Sequence, residues 1–285
     1  MTVLVIGASG KTGRPVVNAL VERGLPVRAA SRNPVPRPHQ AEPVRFNWTD
    51  RSTWQEALRD VEALYVVGPY MHPDQPGLIG DLLAVAPHAR RVALLSILGV
   101  ELLPEAIPMA RWEEDVRASG KDWTILRPNW FQQNFGEGFA SSLRDPGVLA
   151  LAAADAEVGF VDTRDIAEVA AAALTEEGHA DAVHVLTGPR ALTHAQAVQI
   201  LAEAAGRELR YAALTPDEHA AELRKAGLDE RSITWQRALF QLIRDGHNAV
   251  VTDTVERITG HPARSLQTYA QEHAKAWQPL VPEKH

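Results

Sequence analysis

Three glycines near the start of the chain, Gly7, Gly10 and Gly13, are spaced three residues apart and could hold a phosphate group. The apolar run 3–6 precedes them, and the amphipathic segment 16–24 follows. This order predicts a buried strand, a tight turn and a helix. Glycines let the backbone approach a pyrophosphate, which the partial positive charge of a helix N-terminus stabilises. The sequence therefore predicts a phosphate-binding loop.

Two kinds of phosphate loop and an ordinary strand-to-helix turn are alternative interpretations of this stretch. A P-loop would need a glycine five residues before the pair Gly10-Lys11, and Val5 occupies that position. The dinucleotide-binding pattern fits better, although Ala8 stands where its second glycine usually lies. We therefore favour a dinucleotide-binding loop over the other two interpretations.

A basic residue follows the second predicted strand, where a dinucleotide-binding domain meets the adenosine ribose. The strand is expected over 26–31, and Arg32 comes next, with no acidic residue before Glu42. An acid would bind the ribose 2′-hydroxyl, whereas a guanidinium matches a 2′-phosphate in charge and shape. The position predicts NADP(H) rather than NAD(H). The alternative is a solvated arginine in the proline-rich loop 33–38.

Predicted strands and helices alternate through the first 131 residues. This alternation predicts an α/β fold with a Rossmann-like, doubly wound parallel sheet. Ligands of such sheets bind at the carboxyl ends of the strands, so we place Asn47 and Asp50, after the third strand, near the adenine. Position alone predicts that the ends of the fourth and fifth strands contribute Gly68, Pro69, Tyr70 and Ser96 to the pocket.

The predicted sixth strand, 122–131, leads into a group of aromatic residues, Trp130, Phe131 and Phe135. Aromatic side chains at a strand end can belong to the core or form the wall of a substrate site. This strand end points to the same edge of the sheet as the glycine loop, and both interpretations remain open at this stage.

The composition excludes several classes of function. The 285 residues include 29 Lys and Arg against 36 Asp and Glu, a net charge of −7 without a basic patch, which argues against nucleic acid as the main partner. The absence of cysteine excludes disulfides and thiol chemistry, and the 11 histidines lack metal-ligand spacing, so no metal is predicted. No segment resembles a signal peptide or a membrane span. We expect a cytoplasmic protein that acts on a small molecule.

The pattern changes after the sixth strand. A helix opening near 161–170, with Asp162 or Thr163 as its cap, and a strand over 182–186 return to the first domain. Later helices are expected over 194–205, 216–226 and 231–245. We predict an NADP-binding domain over 1–135 with 159–188, a smaller, mostly helical substrate-side cap over 136–158 and 189–277, and a flexible tail over 278–285.

Several motifs, taken together, resemble the NmrA-like branch of the atypical short-chain dehydrogenases. They are the segments 5–13, 31–34, 119–134, 161–167 and 186–189, in this order. The resemblance covers about residues 2–277. It looks closest to members that are similar to the NAD(P)H:quinone reductases and to the ergot-alkaloid iminium reductases.

This resemblance implies an NADP(H)-binding Rossmann domain and assigns roles to particular residues. Arg32 would bind the 2′-phosphate. The loop after the sixth strand, from Pro128 to Phe131 and including Trp130, would lie near the nicotinamide and the substrate, together with Asn134. The residues that the resemblance places at the pyrophosphate are Gly7, Ser9, Gly10, Lys11, Thr12 and Gly13.

One feature of typical short-chain dehydrogenases is missing. These enzymes carry Tyr-x-x-x-Lys on the helix before the turn Ser119-Gly120, and alignment on that turn puts Glu105 and Met109 at the two positions. Without the tyrosine acid, ordinary alcohol dehydrogenation is not expected. The acceptor would be a quinone, an iminium or a conjugated carbonyl, which Ser96 is predicted to orient. The alternative is a non-catalytic NADP(H)-binding redox sensor that acts through a protein partner.

Overall fold

The computed structural model describes residues 1–35, 41–70, 75, 77–104 and 107–279. Within these ranges the strands are β1 Val3–Ile6, β2 Val27–Ser31, β3 Glu42–Arg45, β4 Ala63–Val67, β5 Arg91–Leu95, β6 Asp122–Pro128, β7 Val148–Leu151, β8 Glu157–Val158, β9 Ala182–Leu186, β10 Leu192–Thr193 and β11 Arg210–Ala213. Seven of them form one sheet in the order β3-β2-β1-β4-β5-β6-β9, with parallel pairing throughout. The strand order reverses between β1 and β4, which confirms the doubly wound fold.

Helices cover both faces of this sheet. The described helices are α1 Gly13–Glu22, α2 Trp54–Ala57, α3 Leu78–Ala84, α4 Met109–Arg117, α5 Gln133–Gly136, α6 Ala140–Arg144, α7 Thr163–Thr175, α8 His194–Ala205, α9 Pro216–Lys225, α10 Glu230–Arg244, α11 Thr254–Thr259 and α12 Leu266–His273. In β1, Val3 and Val5 join the apolar cluster under α1 and α7, whereas Leu4 and Ile6 join the cluster under α3 and α4. Burial on both faces explains why β1 is a continuous apolar run.

The C-terminal region packs around a third apolar cluster. Its members include Leu143 in α6, Leu201 in α8, Phe240 in α10, Tyr269 in α12 and the fully buried Trp277. The short strands pair here, β7 with β11 in parallel and β8 with β10 antiparallel. The predicted domain boundaries stay a prediction, and residues 280–285 of the predicted tail lie outside the described residues.

Side-chain caps fix where several helices begin. Asp162 accepts a hydrogen bond of 2.8 Å from the backbone N–H of Arg164 at the start of α7. Thr193 and Thr215 each begin a capping box, at α8 and α9. The helices predicted over 194–205, 216–226 and 231–245 are confirmed to within one residue at each end.

Candidate active site

The glycine loop is a tight turn between β1 and α1. Gly7 has a φ of +82°, and its carbonyl accepts a hydrogen bond of 2.9 Å from the backbone N–H of Gly10. A Cβ atom at Gly13 would lie 2.1 Å from the same Gly7 carbonyl oxygen. Because real Cβ atoms do not approach a backbone oxygen so closely, the start of α1 can pack against the end of β1 only with glycine here.

The start of α1 is open to an anion. Thr12 is the N-cap residue but its side chain makes no capping hydrogen bond, and the first turn contains no acidic residue. The first N–H groups of a helix have no partner within it and carry its partial positive charge. A crevice of about 540 Å³ lies beside this turn, and its lining includes Ser9, Gly10, Lys11, Arg14, Gln133, Glu137, Arg164 and His273.

The residues predicted at the adenosine end lie around β2 and β3. Arg32 is exposed, and its neighbours Ser31 and Asn33 line a small cavity of about 70 Å³, together with Ser9. Part of the proline-rich loop, residues 36–38, lies outside the described residues. The role of Arg32 at the 2′-phosphate stays a prediction.

A polar turn follows the third strand, β3. Asn47 Oδ1 accepts a hydrogen bond of 3.2 Å from the backbone N–H of Thr49. Asp50 Oδ1 accepts hydrogen bonds of 3.2 Å and 2.6 Å from the backbone N–H and hydroxyl of Ser52. Asn47 and Asp50 thus hold the turn that follows β3. The structure does not bring them into the lining of the cavities described here, and their adenine contacts stay a prediction.

A second cavity of about 250 Å³ lies at the carboxyl ends of β5 and β6. Three segments form most of its wall: the residues after β5, the loop after β6, and α10. The described lining residues are Lys11, Ile97, Leu98, Met109, Pro128, Asn129, Trp130, Phe131, Asn134, Trp235, Leu239, Leu242 and Asn248. The structure therefore brings Lys11, Pro128, Trp130, Phe131 and Asn134, five of the predicted residues, to one cavity. Phe135 is fully buried in the C-terminal core instead.

Lys11 joins the crevice beside α1 to this cavity, since it lines both. Its ammonium Nζ donates a hydrogen bond of 2.9 Å to Asn134 Oδ1. The Glu137 carboxylate lies 3.8 Å from the same Nζ and is itself half exposed. The side chain of Lys11 thus reaches across from the glycine loop to the segment that follows β6.

Two asparagines form a polar part of the cavity wall. Asn129 Nδ2 donates 2.8 Å to the backbone carbonyl of Asn248, and Asn248 Nδ2 donates 3.0 Å to Asn129 Oδ1. Asn248 Oδ1 is buried and accepts no hydrogen bond from any described residue. A buried acceptor without a partner is costly, and because almost none of its surface is exposed, this oxygen lies behind the cavity wall rather than facing a ligand.

Ser96 lies immediately before the cavity wall, and its side chain points elsewhere. The residue is 1% exposed, and its hydroxyl donates a hydrogen bond of 2.6 Å to Glu113 Oε1 in α4. Burial alone would raise the pKa of Glu113, but hydrogen bonds from Arg127 and Ser96 hold it below its ordinary value. Ser96 is not among the described residues that line the cavity, and its predicted catalytic role stays a prediction.

The end of β4 approaches α4 closely. A Cβ atom at Gly68 would lie 2.4 Å from the ring of Trp112, and Pro69 is buried beside it. The Tyr70 ring packs edge-on against Trp112, with centroids 5.0 Å apart, and lies 6.1 Å from the ring of Trp235. Tyr70 therefore supports the cavity through Trp235. Gly68, Pro69 and Tyr70 are not among the lining residues, and their ligand contacts stay a prediction.

Of the two positions aligned with the missing Tyr-x-x-x-Lys pair, the structure describes one, and that position carries no acid–base group. Met109, aligned with the lysine, contributes its thioether side chain to the cavity wall. Glu105, aligned with the tyrosine, lies outside the described residues. Four further lining residues could not be predicted from the sequence, because no local pattern distinguishes them from core or loop residues: Ile97, Leu98, Leu239 and Asn248.

A group of possible metal ligands lies outside the lining of the cavities described above. Asp165, Glu168 and His261 each offer an atom within 4.8 Å of the others. The guanidinium of Arg264 forms ion pairs with Asp165 and, at 2.6 Å, with Glu168. The Arg264 guanidinium thus already occupies both carboxylates, and the group ties α7 to the segment before α12.

Across the described residues, no helix is both long and apolar enough to cross a membrane.

Comparison with known proteins defines the family. A family model described as NAD(P)H-binding matches residues 7–177. The (4-alkanoyl-5-oxo-2,5-dihydrofuran-3-yl)methyl phosphate reductase of Streptomyces griseus is 35% identical over an alignment of 287 residues, gaps included. The alignment covers 97% of this chain and 99% of the relative. The NAD(P)H azoreductase of Xenophilus azovorans is 32% identical over 284 residues, which cover 96% and 99%.

Solved structures agree on the fold. The NADPH-dependent quinone oxidoreductase of Escherichia coli in complex with NADPH has a TM-score of 0.80 at 23% identity, covering 95% of this chain and 99% of that chain. The family model and the relatives together define an NAD(P)H-dependent oxidoreductase. The chain belongs to the NAD(P)H-binding family, in the NmrA-like branch of the atypical short-chain dehydrogenases.

Proposed function

We propose that this protein reduces a compact, conjugated acceptor, which is a quinone, an iminium or a conjugated carbonyl, and that it uses NADPH for the reduction. The observation that carries this proposal is the cavity of about 250 Å³ next to the glycine loop, walled by Trp130, Phe131 and Trp235. Ligand pockets usually measure about 300–1,000 Å³, so a cavity of this size suits a small ring system.

The residues around the glycine loop fit a dinucleotide. The uncapped start of α1, the glycine-only turn and the adjoining crevice form an anion site of the kind that binds a pyrophosphate. Bound NADPH would supply a hydride from its nicotinamide ring to an acceptor in the cavity. The exposed Arg32, beside the small cavity lined by Ser31 and Asn33, supports NADPH over NADH.

The cavity residues would orient the acceptor and keep water away from it. Pro128, Trp130 and Phe131 give flat apolar surfaces in the cavity wall. For Ser96 to contact the acceptor, its hydroxyl would have to break its hydrogen bond to Glu113. The present hydrogen bond supports a positioning role, through the neighbouring wall residues Ile97 and Leu98.

The names of the relatives support an electron-poor acceptor. One is named for a 5-oxo-2,5-dihydrofuran substrate, in which a carbonyl is conjugated with a ring double bond, and the other for azo compounds. Both kinds of acceptor are conjugated π-systems that a hydride can attack without an acid as strong as the missing tyrosine. This supports the same class of acceptor for the present cavity.

Purified protein tests the proposal through loss of the nicotinamide absorbance. NADPH and NADH are each combined with 2-cyclohexenone, 1,4-naphthoquinone or an N-alkylated cyclic iminium. We expect turnover with NADPH and at least one of these three acceptors. Gly13→Ala should abolish turnover, because its Cβ would clash with Gly7, while Gly77→Ala, in open space, should retain it. Tight NADPH binding without turnover of any acceptor would overturn the reductase and support the redox sensor instead.

A further inference from the structure

Lys11 contributes a positive charge to a cavity wall that is otherwise neutral. Among the lining residues that the structure describes, it is the one cationic side chain, and the polar remainder consists of Asn129, Asn134 and Asn248. About two-thirds of the Lys11 side chain is shielded from solvent. Because apolar and aromatic side chains surround the cavity, a charge there acts more strongly than it would in water.

The neighbours of Lys11 fix its direction. Asn134 Oδ1 accepts one of the three ammonium hydrogens at 2.9 Å, and the half-exposed Glu137 forms an ion pair with the ammonium at 3.8 Å without taking a second hydrogen. An ammonium group has three donors, so Lys11 retains hydrogens for a ligand in the cavity. Asn134 lies in α5, shortly after the loop 128–131, and its hydrogen bond holds the ammonium beside the cavity as well as beside the glycine loop.

We propose that Lys11 is a catalytic residue that hydrogen-bonds the carbonyl oxygen of the acceptor and protonates it, and that its charge selects neutral quinones and conjugated carbonyls over iminium ions. This rests on the proposed reductase function. A neutral acceptor becomes negative at oxygen as it is reduced, so a fixed cation stabilises the transition state more than the ground state. An iminium is already positive, so the same cation opposes its binding.

The electrons and protons balance for a conjugated carbonyl. The acceptor gains a C–H bond at its β-carbon from the hydride of NADPH, and the π electrons of its double bond move to the carbonyl oxygen. An O–H bond forms there as an N–H bond of Lys11 breaks, and solvent then reprotonates the amine. The acceptor is reduced by two electrons to an enol, which becomes the ketone, and NADPH is oxidised to NADP⁺. A quinone ends as its hydroquinone by the same balance.

A binding experiment without turnover tests Lys11. Wild-type protein saturated with NADP⁺ is titrated with 4-nitrophenol, whose ionised form has its own absorbance and imitates an acceptor with negative oxygen. We expect the wild type to bind the nitrophenolate and Lys11→Met to bind it about 10- to 100-fold more weakly, the range of a charge-assisted hydrogen bond. Lys11→Arg should keep most of the affinity. Lys225→Met, which removes an exposed lysine of α9, should equal the wild type.

Two further measurements separate this role from the predicted pyrophosphate contact. N-methylpyridinium should bind Lys11→Met more tightly than the wild type, since a cation is removed from the cavity. NADP⁺ affinity should change less than tenfold. A large loss of NADP⁺ affinity with nitrophenolate binding unchanged would overturn the proposal and assign Lys11 to the pyrophosphate. Lys11-dependent nitrophenolate binding in a protein that reduces no acceptor would instead overturn the proposed function and leave the anion site standing.

Discussion

At the scale of single residues, we expect the charge of Arg32 to decide between the two nicotinamide cofactors. The residue is exposed directly after β2, and the sequence has no acidic residue between it and Glu42 that could bind a ribose 2′-hydroxyl. We expect Arg32→Glu to weaken NADPH binding about 10- to 100-fold, because an attractive contact with the 2′-phosphate becomes a repulsive one. Binding of NADH should be equal or slightly tighter.

Fluorescence titration of both cofactors measures this change. Arg231→Glu, at an exposed arginine of α10, makes the same change of net charge away from the site and serves as the control. Equal weakening of NADPH and NADH by Arg32→Glu would show that Arg32 contacts a part of the cofactor that both share. That result would contradict the assignment to the 2′-phosphate.

Ser96 and Glu113 form a buried polar contact, and removing it distinguishes a structural role of Ser96 from a catalytic one. Glu113 Oε1 accepts from Ser96 and, at 2.9 Å, from Arg127 Nε, and Oε2 accepts from Arg127 Nη2 at 2.7 Å. We expect Ser96→Ala to lower the unfolding free energy by about 1–3 kcal/mol, because a buried carboxylate loses one donor. Urea denaturation measures the loss, with Ser141→Ala, on the exposed face of α6, as the control. Unchanged stability with a large fall in kcat would instead indicate a direct catalytic contact.

The residues that could be predicted from sequence are those whose type is required by local geometry. The glycine loop is such a case, since Gly7 has a positive φ and Gly13 has no room for a side chain. Asn248 reaches the cavity through its pairing with Asn129, 119 positions earlier in the chain. Such a contact depends on tertiary packing, and neither the composition nor the periodicity around residue 248 indicates it.

At the scale of elements, the long amphipathic helices and buried strands could be predicted, and the shortest strands could not. The capping boxes at Thr193 and Thr215 mark the starts of α8 and α9 in the sequence itself. The strands β8 and β10 have two residues each and exist because they pair with each other. Two residues are too few for a period to be recognised.

The contact between the end of β4 and α4 limits what can replace Gly68. Its Cβ position lies 2.4 Å from Trp112, whose ring is fully buried. We expect Gly68→Ala to lower the unfolding free energy by about 1–3 kcal/mol, the usual cost of an extra methyl group in a close-packed core. Thermal or urea denaturation measures it, with Gly77→Ala as the control in open space. Equal stability of the two variants would mean that the Trp112 ring can move aside.

At the scale of the whole molecule, the C-terminal core contains a neutral histidine. His194, the first residue of α8, is 0% exposed, and neither ring nitrogen has a hydrogen-bond partner among the described residues. Its ring packs against Phe160 and Tyr211, with centroids 5.2 Å and 5.8 Å away. Burial lowers the pKa of His194 from 6.5 to about 4. Protonation would put an unpaired charge into the core.

This burial makes the stability of the molecule depend on pH. Between about pH 6.5 and pH 4 the unfolded chain binds a proton at His194 that the folded chain does not, so the unfolding free energy falls as the pH is lowered through this range. The full difference for one such histidine is about 3 kcal/mol. His184, whose pKa burial also lowers to about 4, adds to the same dependence.

We therefore expect His194→Phe to flatten the dependence of stability on pH without abolishing it. Urea denaturation from pH 4.5 to pH 7.5 measures the slope, with His88→Gln, at an exposed histidine, as the control. A slope identical to that of the wild type would show that His194 is protonated equally in the folded and unfolded chains. Water would then reach its ring in the folded protein.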